Sequence, residues 1–199
     1  MPRTFSPSVV WPGLKIGGSE METALDVFNK TLKWIEENYS KYTFFAERDV
    51  VWTFQNKVQH LISENNLPLK VFNDYTILKC EKHGSSADIV ILNENDHVEL
   101  AIEFKYEPDH KRGKEPNRNI WPTKLDPSVV FWGKEGVLKD VKRCEEFIDK
   151  GVATAAVTIF IDEGGLFRHR NPPPGTEWID WDSKGKQKIS ILIGRFGGV

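Results

Sequence analysis

The sequence predicts an α/β fold, a mixed sheet flanked by helices, and three observations carry that prediction. In the first third of the chain, apolar residues recur at three- and four-residue spacings, the period of an amphipathic helix. The period then changes to two over three successive stretches rich in β-branched and aromatic residues, which reads as strands. Further on, a second helical stretch leads into VATAAVTIFID, an almost continuous apolar run suited to a buried strand. Helix, strands, helix and strand in this order give a sheet covered by helices.

The elements follow one another along the chain. Residues 1–19 carry three prolines and three glycines and read as an irregular arm, with Trp11 and Ile16 available to tack it down. An added helix over residues 20–40 has its stripe at Ala24, Leu25, Phe28, Leu32 and Ile35. After YSKYTF, a second helix runs from about Ala46 to Asn65, along Val50, Phe54, Val58, Leu61 and Ile62, and NNLP supplies its stop. Strands are expected over LKVFNDYTILKC, ADIVIL and HVELAIEFKY. HGSS and NEND stand between them as turns, and NEND is short enough for a hairpin. Residues 107–135, rich in Pro, Lys, Arg and Trp, read as a long loop. A helix over 137–150 shows Val137, Val141, Cys144 and Ile148 on one side, and the buried strand covers 152–162. TEWIDWD reads as an edge strand and KISILIGRF as a last alternating one, so residues 163–199 add C-terminal strands.

With 199 residues, 39% hydrophobic and 12% aromatic, the chain is long and apolar enough for a single domain with its own core. A formal charge of -2 excludes a polycation, so contact with nucleic acid requires a local basic patch. Two cysteines, Cys80 and Cys144, are too few for a disulfide framework or a cysteine zinc site. The five histidines occur singly, without a zinc-ligand spacing, and there is no Walker, dinucleotide or GxSxG pattern. The start lacks the apolar core of a signal peptide, no stretch is long and apolar enough to span a membrane, and a cytoplasmic location is expected.

The chemistry concentrates on VELAIEFKYE, residues 98–107. Val98, Leu100, Ile102 and Phe104 take one parity of this strand; Glu99, Ala101, Glu103 and Lys105 take the other. Glu103 and Lys105 therefore share a face, about 7 Å apart along the backbone. A hairpin pairing brings Asp88, at the head of IVIL, beside Glu103. Glu47 precedes Val50 and Val51 by three and four residues and lies on the apolar stripe of its helix. Clustered carboxylates raise one another's pKa unless a cation separates them. Mg²⁺, with Mn²⁺ as substitute, takes hard oxygen ligands of this kind and polarises a phosphoryl oxygen. A neighbouring lysine orients water and offsets developing negative charge. Each residue also has a plainer role open to it. Glu103 and Lys105 make an exposed cross-strand charge pattern, Asp88 follows a turn, and Glu47 suits the positive end of a helix dipole. The tripeptide is not distinctive alone, since Asp-x-Lys recurs at Asp109, Asp140 and Asp182. Its strand setting is.

The order of Glu47 on a helix, Asp88 opening a strand, and Glu103-Phe104-Lys105 on the next resembles the PD-(D/E)XK nuclease superfamily, the restriction-endonuclease-like proteins. The resemblance covers roughly residues 45–162, with Ala87 standing where the family's proline would be. It implies an αβββαβ core with Asp88 and Glu103 binding divalent metal and Lys105 handling the attacking water. Glu47 would match the helix acid that some members add to the metal site. The implied activity is phosphodiester hydrolysis of nucleic acid, with DNA favoured as the partner, and a homodimer would suit paired cuts. The residues Lys111, Arg112, Lys114, Arg118 and Lys124 of the long loop have two readings of their own: phosphate contacts beside the site with Trp121 stacking on a base, or a solvated loop whose tryptophan packs on the body. Arg143 joins this set as a phosphate contact, although its helical spacing favours a pair with Asp140 or Glu146. The competing reading is a silent member of the fold, acting as a binding or assembly module.

Overall fold

The structure, a computed structural model, describes residues 22–78, 85–109, 127–134, 136–181 and 188–198. The N-terminal arm and the loop residues Lys111, Arg112, Lys114, Arg118, Trp121 and Lys124 lie outside these, as does Cys80.

Helix α1, Ala24–Asn38, begins where Thr23 and Asp26 exchange hydrogen bonds between side chain and backbone. It buries Val27, Phe28, Thr31 and Ile35. Helix α2, Glu47–Glu64, buries the expected stripe, with Phe54 wholly enclosed. Its first turn is closed by Asp49, whose Oδ2 accepts from the Phe45 and Ala46 amides at 3.0 Å each, so Glu47 is not needed as a cap.

Three strands follow, β1 Leu69–Leu78, β2 Ser85–Asn93 and β3 Val98–Glu107. After them come the short α3 Pro127–Val130, α4 Val137–Asp149, β4 Ala155–Glu163, β5 Thr176–Trp181 and β6 Ile189–Gly197. The six strands form one sheet in the order β1-β2-β3-β4-β6-β5. Only β3 and β4 run parallel, joined through α4, and the other neighbours are antiparallel. The fold is thus α/β with a mixed sheet. One face, with Ile89, Ile102, Phe104, Val157 and Ile191, packs against α1 and α2, and the Phe54 and Phe104 rings meet edge to face at 5.2 Å. The other face, with Val90, Ala101 and Ala156, packs against Cys144 and Phe147 of α4. Among the described residues, no helix is long and apolar enough to cross a membrane.

Three local features differ from expectation. Ser85 and Ser86 belong to β2 rather than to a turn, extending it along β1. Val98 packs on the α4 side with Ala101, because the register slips by one residue at Glu99 and a bulge turns the side chain over. The last strand lies inside the sheet between β4 and β5, so Ile189–Gly194 is buried on both faces despite its alternation.

One consequence of the pairing positions the site. The β2–β3 ladder stops at Ile89 and Ile102, whereas β2 stays on β1 through Ser85 and β3 stays on β4 through Glu107. The two central strands therefore fork, and the fork opens beside the N-terminal half of α4.

Candidate active site

Each residue singled out on β2 and β3 stands at this fork. Carrying the register one rung beyond Ile89 and Ile102 sets Asp88 beside Glu103. No backbone rung forms there; the Phe104 amide donates instead to Asp88 Oδ2 at 2.6 Å. Glu103 is only 1% exposed, and its Oε2 accepts from Arg143 at 2.9 Å. Arg143 also donates to the Ser86 carbonyl at 3.4 Å. The spacing along α4 favoured a partner on the same helix, but the buried carboxylate across the fork draws the guanidinium down, and Glu146 pairs with Lys150 instead.

Lys105 lies one step further along β3. Its Nζ is 3.2 Å from Glu47 Oε2 on α2 and 3.7 Å from Asp140 Oδ2 on α4, bridging the two layers past the end of the ladder. Asp140 was not among the residues the sequence singled out. The signal was present: it stands three after Val137 and four before Cys144, on the buried stripe, by the same reasoning that picked out Glu47.

These side chains line a cleft of about 360 Å³, with Asp74 and Lys139 at its rim. Its walls are almost wholly polar. Burial, followed by the neighbouring Asp88, pushes the Glu103 carboxyl up to about 8. Burial likewise raises Asp140 to about 7 against the pull of Lys105 and Arg143. Asp88 reaches about 6, with burial outweighing the hydrogen bond from Phe104. For Lys105, burial acts to lower the pKa, yet Asp140 and Glu47 together lift it above its ordinary value, so it is an ammonium at neutral pH. Glu103 Oε1 and Asp140 Oδ2 are buried without a hydrogen-bond partner. Leaving such oxygens unpaired costs about 1–3 kcal/mol each, more when charged.

Asp74 forms the outer wall on β1. It adopts a φ of 48° in mid-strand, opposite Asp88 by register, a conformation that aspartate tolerates better than most residues. Among the described residues, no three His, Cys, Asp or Glu side chains already stand in metal-ligating positions. The donor set nonetheless fits a hard divalent cation. Its atoms are carboxylate oxygens; Glu103 Oε1 has no hydrogen-bond partner, and among the described residues the cleft is lined by five acids, Glu47, Asp74, Asp88, Glu103 and Asp140, against three cations, Lys105, Lys139 and Arg143.

Compared with known proteins, the chain matches no family model, and no curated protein is significantly similar to it.

Proposed function

We propose that the protein is a divalent-metal-dependent nuclease of the restriction-endonuclease-like type, hydrolysing phosphodiester bonds in nucleic acid, with DNA as the favoured substrate. The observation that carries this reading is the pair of buried oxygens without a hydrogen-bond donor, Glu103 Oε1 and Asp140 Oδ2, in the cleft that Lys105 enters, with Asp140 Oδ2 3.7 Å from the Lys105 ammonium. Support also comes from the order of α2, β1, β2, β3, α4 and β4, which is the αβββαβ succession of that fold.

Asp88 and Glu103 would hold Mg²⁺ or Mn²⁺, with Glu47 assisting from α2. A bound cation supplies Lewis acidity toward the phosphoryl oxygen. Lys105, fixed by Glu47 and Asp140, orients the attacking water and stabilises charge on the phosphoryl group. Asp140, titrating near neutrality, accepts the proton as the water oxygen bonds to phosphorus. The bond from phosphorus to the leaving oxygen breaks, and solvent at the open mouth of the cleft protonates that oxygen. Arg143 favours the ionised form of Glu103 against its burial and holds the carboxylate in place.

The second reading, a binding module without turnover, draws on the same guanidinium. Arg143 already neutralises part of Glu103 from within the chain, as a resident cation would in a silent site. Cleavage of labelled plasmid, linear duplex and single-stranded DNA in Mg²⁺ or Mn²⁺ separates the two. The nuclease reading expects metal-dependent cutting that falls by about 10²–10⁴-fold in Lys105→Ala and in Glu103→Ala, both checked for folding. Absence of cutting together with absence of metal binding by calorimetry would leave the binding module.

A further inference from the structure

We infer that the groove between α4 and the turn at residues 131–134 holds an unpaired nucleic-acid strand, one of whose bases stacks on Trp132. This rests on the nuclease reading and sharpens it, making the substrate single-stranded nucleic acid or a junction bearing a single-stranded segment.

The groove, of about 370 Å³, is lined by Trp132, Lys134, Lys139, Lys142 and Arg143, with Glu146 the acid among its described lining residues. Lys139 and Arg143 also line the active cleft, so the two depressions adjoin across these side chains. Phosphates tracking these cations would be led to the fork.

Trp132 is 60% exposed, and its exposure is not slack. Its neighbour Phe131 is buried, with ring centroids 5.9 Å from Phe160, 5.6 Å from Phe167 and 6.3 Å from Trp178. The Trp132 amide donates to the Ser128 carbonyl at 3.2 Å, and the Leu138 amide to that of Phe131 at 2.9 Å. The turn closes so tightly that a Cβ on Gly133 would sit 2.5 Å from the Val129 carbonyl oxygen, and one on Gly136 2.7 Å from that of Val130. The chain thus holds a large aromatic ring in water beside a row of cations. An indole ring can stack only on a base whose face is open, and in an intact duplex the base faces are covered. Cations alone would suit either form; the ring selects the unpaired one.

The other flank of the cleft argues for the same path. There a depression of about 540 Å³ also carries an exposed tryptophan, Trp52, but among Glu47, Asp49, Asp74 and Asp88, with Arg48 as the opposing cation. Beyond the fork, among the described lining residues, that flank sets one cation against four acids, whereas the α4 groove sets four cations against one acid. The strand therefore runs from the fork over α4 to Trp132.

Fluorescence anisotropy tests this without any cleavage, using the full chain with a labelled oligothymidylate and a blunt hairpin duplex, in EDTA and again in Ca²⁺. The expected result is tighter binding of the single strand. Trp132→Ala weakens it about tenfold, the size of one base stack, and Trp132→Phe restores most of the loss. Lys142→Ala reduces the salt slope for the single strand by about 0.7. Trp52→Ala binds as wild type. Equal or tighter binding of duplex, an unaffected Trp132→Ala, or no binding in either condition overturns the inference. The nuclease reading is tested separately by metal-dependent cutting. Duplex cutting that ignores Trp132→Ala would keep the nuclease and reject the groove. Single-strand binding through Trp132 without cutting would keep the groove and reject the nuclease.

Discussion

Asp140 and Asp162 are the same residue type, both buried, on neighbouring elements, and they are satisfied in opposite ways. Asp162 closes the end of β4. Its Oδ1 accepts from the Leu166 amide at 3.0 Å and its Oδ2 from Phe167 at 2.7 Å. Burial still raises it, to about 6, but those amides and that of Arg168 hold the value down. Next to it, Glu163 Oε2 accepts from Tyr106 at 2.6 Å and from the Asp109 amide at 3.1 Å. Among the described residues, Asp140 has no such backbone donors. Its Oδ2 lacks a hydrogen bond, and burial raises it to about 7 despite Lys105 and Arg143. A raised pKa is therefore common to both clusters and does not tell them apart. A buried oxygen with no hydrogen-bond donor does.

Divalent metal should separate the two regions most strongly. Glu103 and Asp140 titrate in the folded protein at about 8 and about 7, above their ordinary values of 4.5 and 3.8. Across that window the native state retains protons that the unfolded chain has released. Stability of the metal-free protein therefore falls as pH rises from about 4 to about 8. A cation needs the ionised carboxylates, so its stabilising effect grows over the same range. With Mg²⁺ or Mn²⁺ at about a hundredfold excess over Kd, about 2.7 kcal/mol is expected near pH 8 and little near pH 5. Thermal unfolding checks this, with Glu103→Gln losing the effect and Tyr106→Phe keeping it. A shift that survives in Glu103→Gln would move the metal away from the fork.

Truncating each aspartate should then change stability with opposite signs. Asp140→Ala removes a buried charge without orphaning a backbone group, in a helix where alanine is favoured. At pH 8 it is expected to stabilise by about 1–2 kcal/mol, below the ceiling of 1.36 kcal/mol per pKa unit because Lys105 loses a neighbour. At pH 4 the gain disappears. Asp162→Ala leaves the Leu166 and Phe167 amides without their acceptor and costs about 1–3 kcal/mol at either pH. Urea unfolding at the two pH values reads both, and a destabilised Asp140→Ala at pH 8 would make Asp140 a structural acid like its counterpart.

Much of this division was legible in the sequence. Period and spacing located the two long N-terminal helices, the three-strand run and α4, because amphipathic patterns record which face is covered. They also drew attention to Glu47, Asp88, Glu103 and Lys105, which the structure brings to one fork. What period cannot record is a partner across space. Asp140 shared the apolar stripe of α4, yet its place beside Lys105 depends on where β3 passes beneath that helix. Arg143 matched a helical pair by spacing and was taken by a buried acid on another element. Val98 changed face through a bulge that alternation alone does not reveal. The last strand's alternation does not reveal its interior position, which is set by β5 pairing beyond it.

Tyr106 offers the smallest and most discriminating test of the division, because it directly follows Lys105 on β3. Alternation turns it to the opposite face, where its hydroxyl donates to Glu163 Oε2 and lies 3.1 Å from the Phe44 carbonyl. In Tyr106→Phe, Glu163 still accepts from the Asp109 amide, so no carboxylate is stranded and the cost should be only about 1 kcal/mol. The urea midpoint should fall with an unchanged slope. Metal affinity and any cleavage should stay at wild-type levels, since no atom at the fork has lost a contact. A loss of cleavage in step with that small loss of stability would mean the two acidic regions act as one unit. The saturated oxygens of β4 would then be supporting the fork through the backbone of β3, and the contrast between Asp140 and Asp162 would be one of degree.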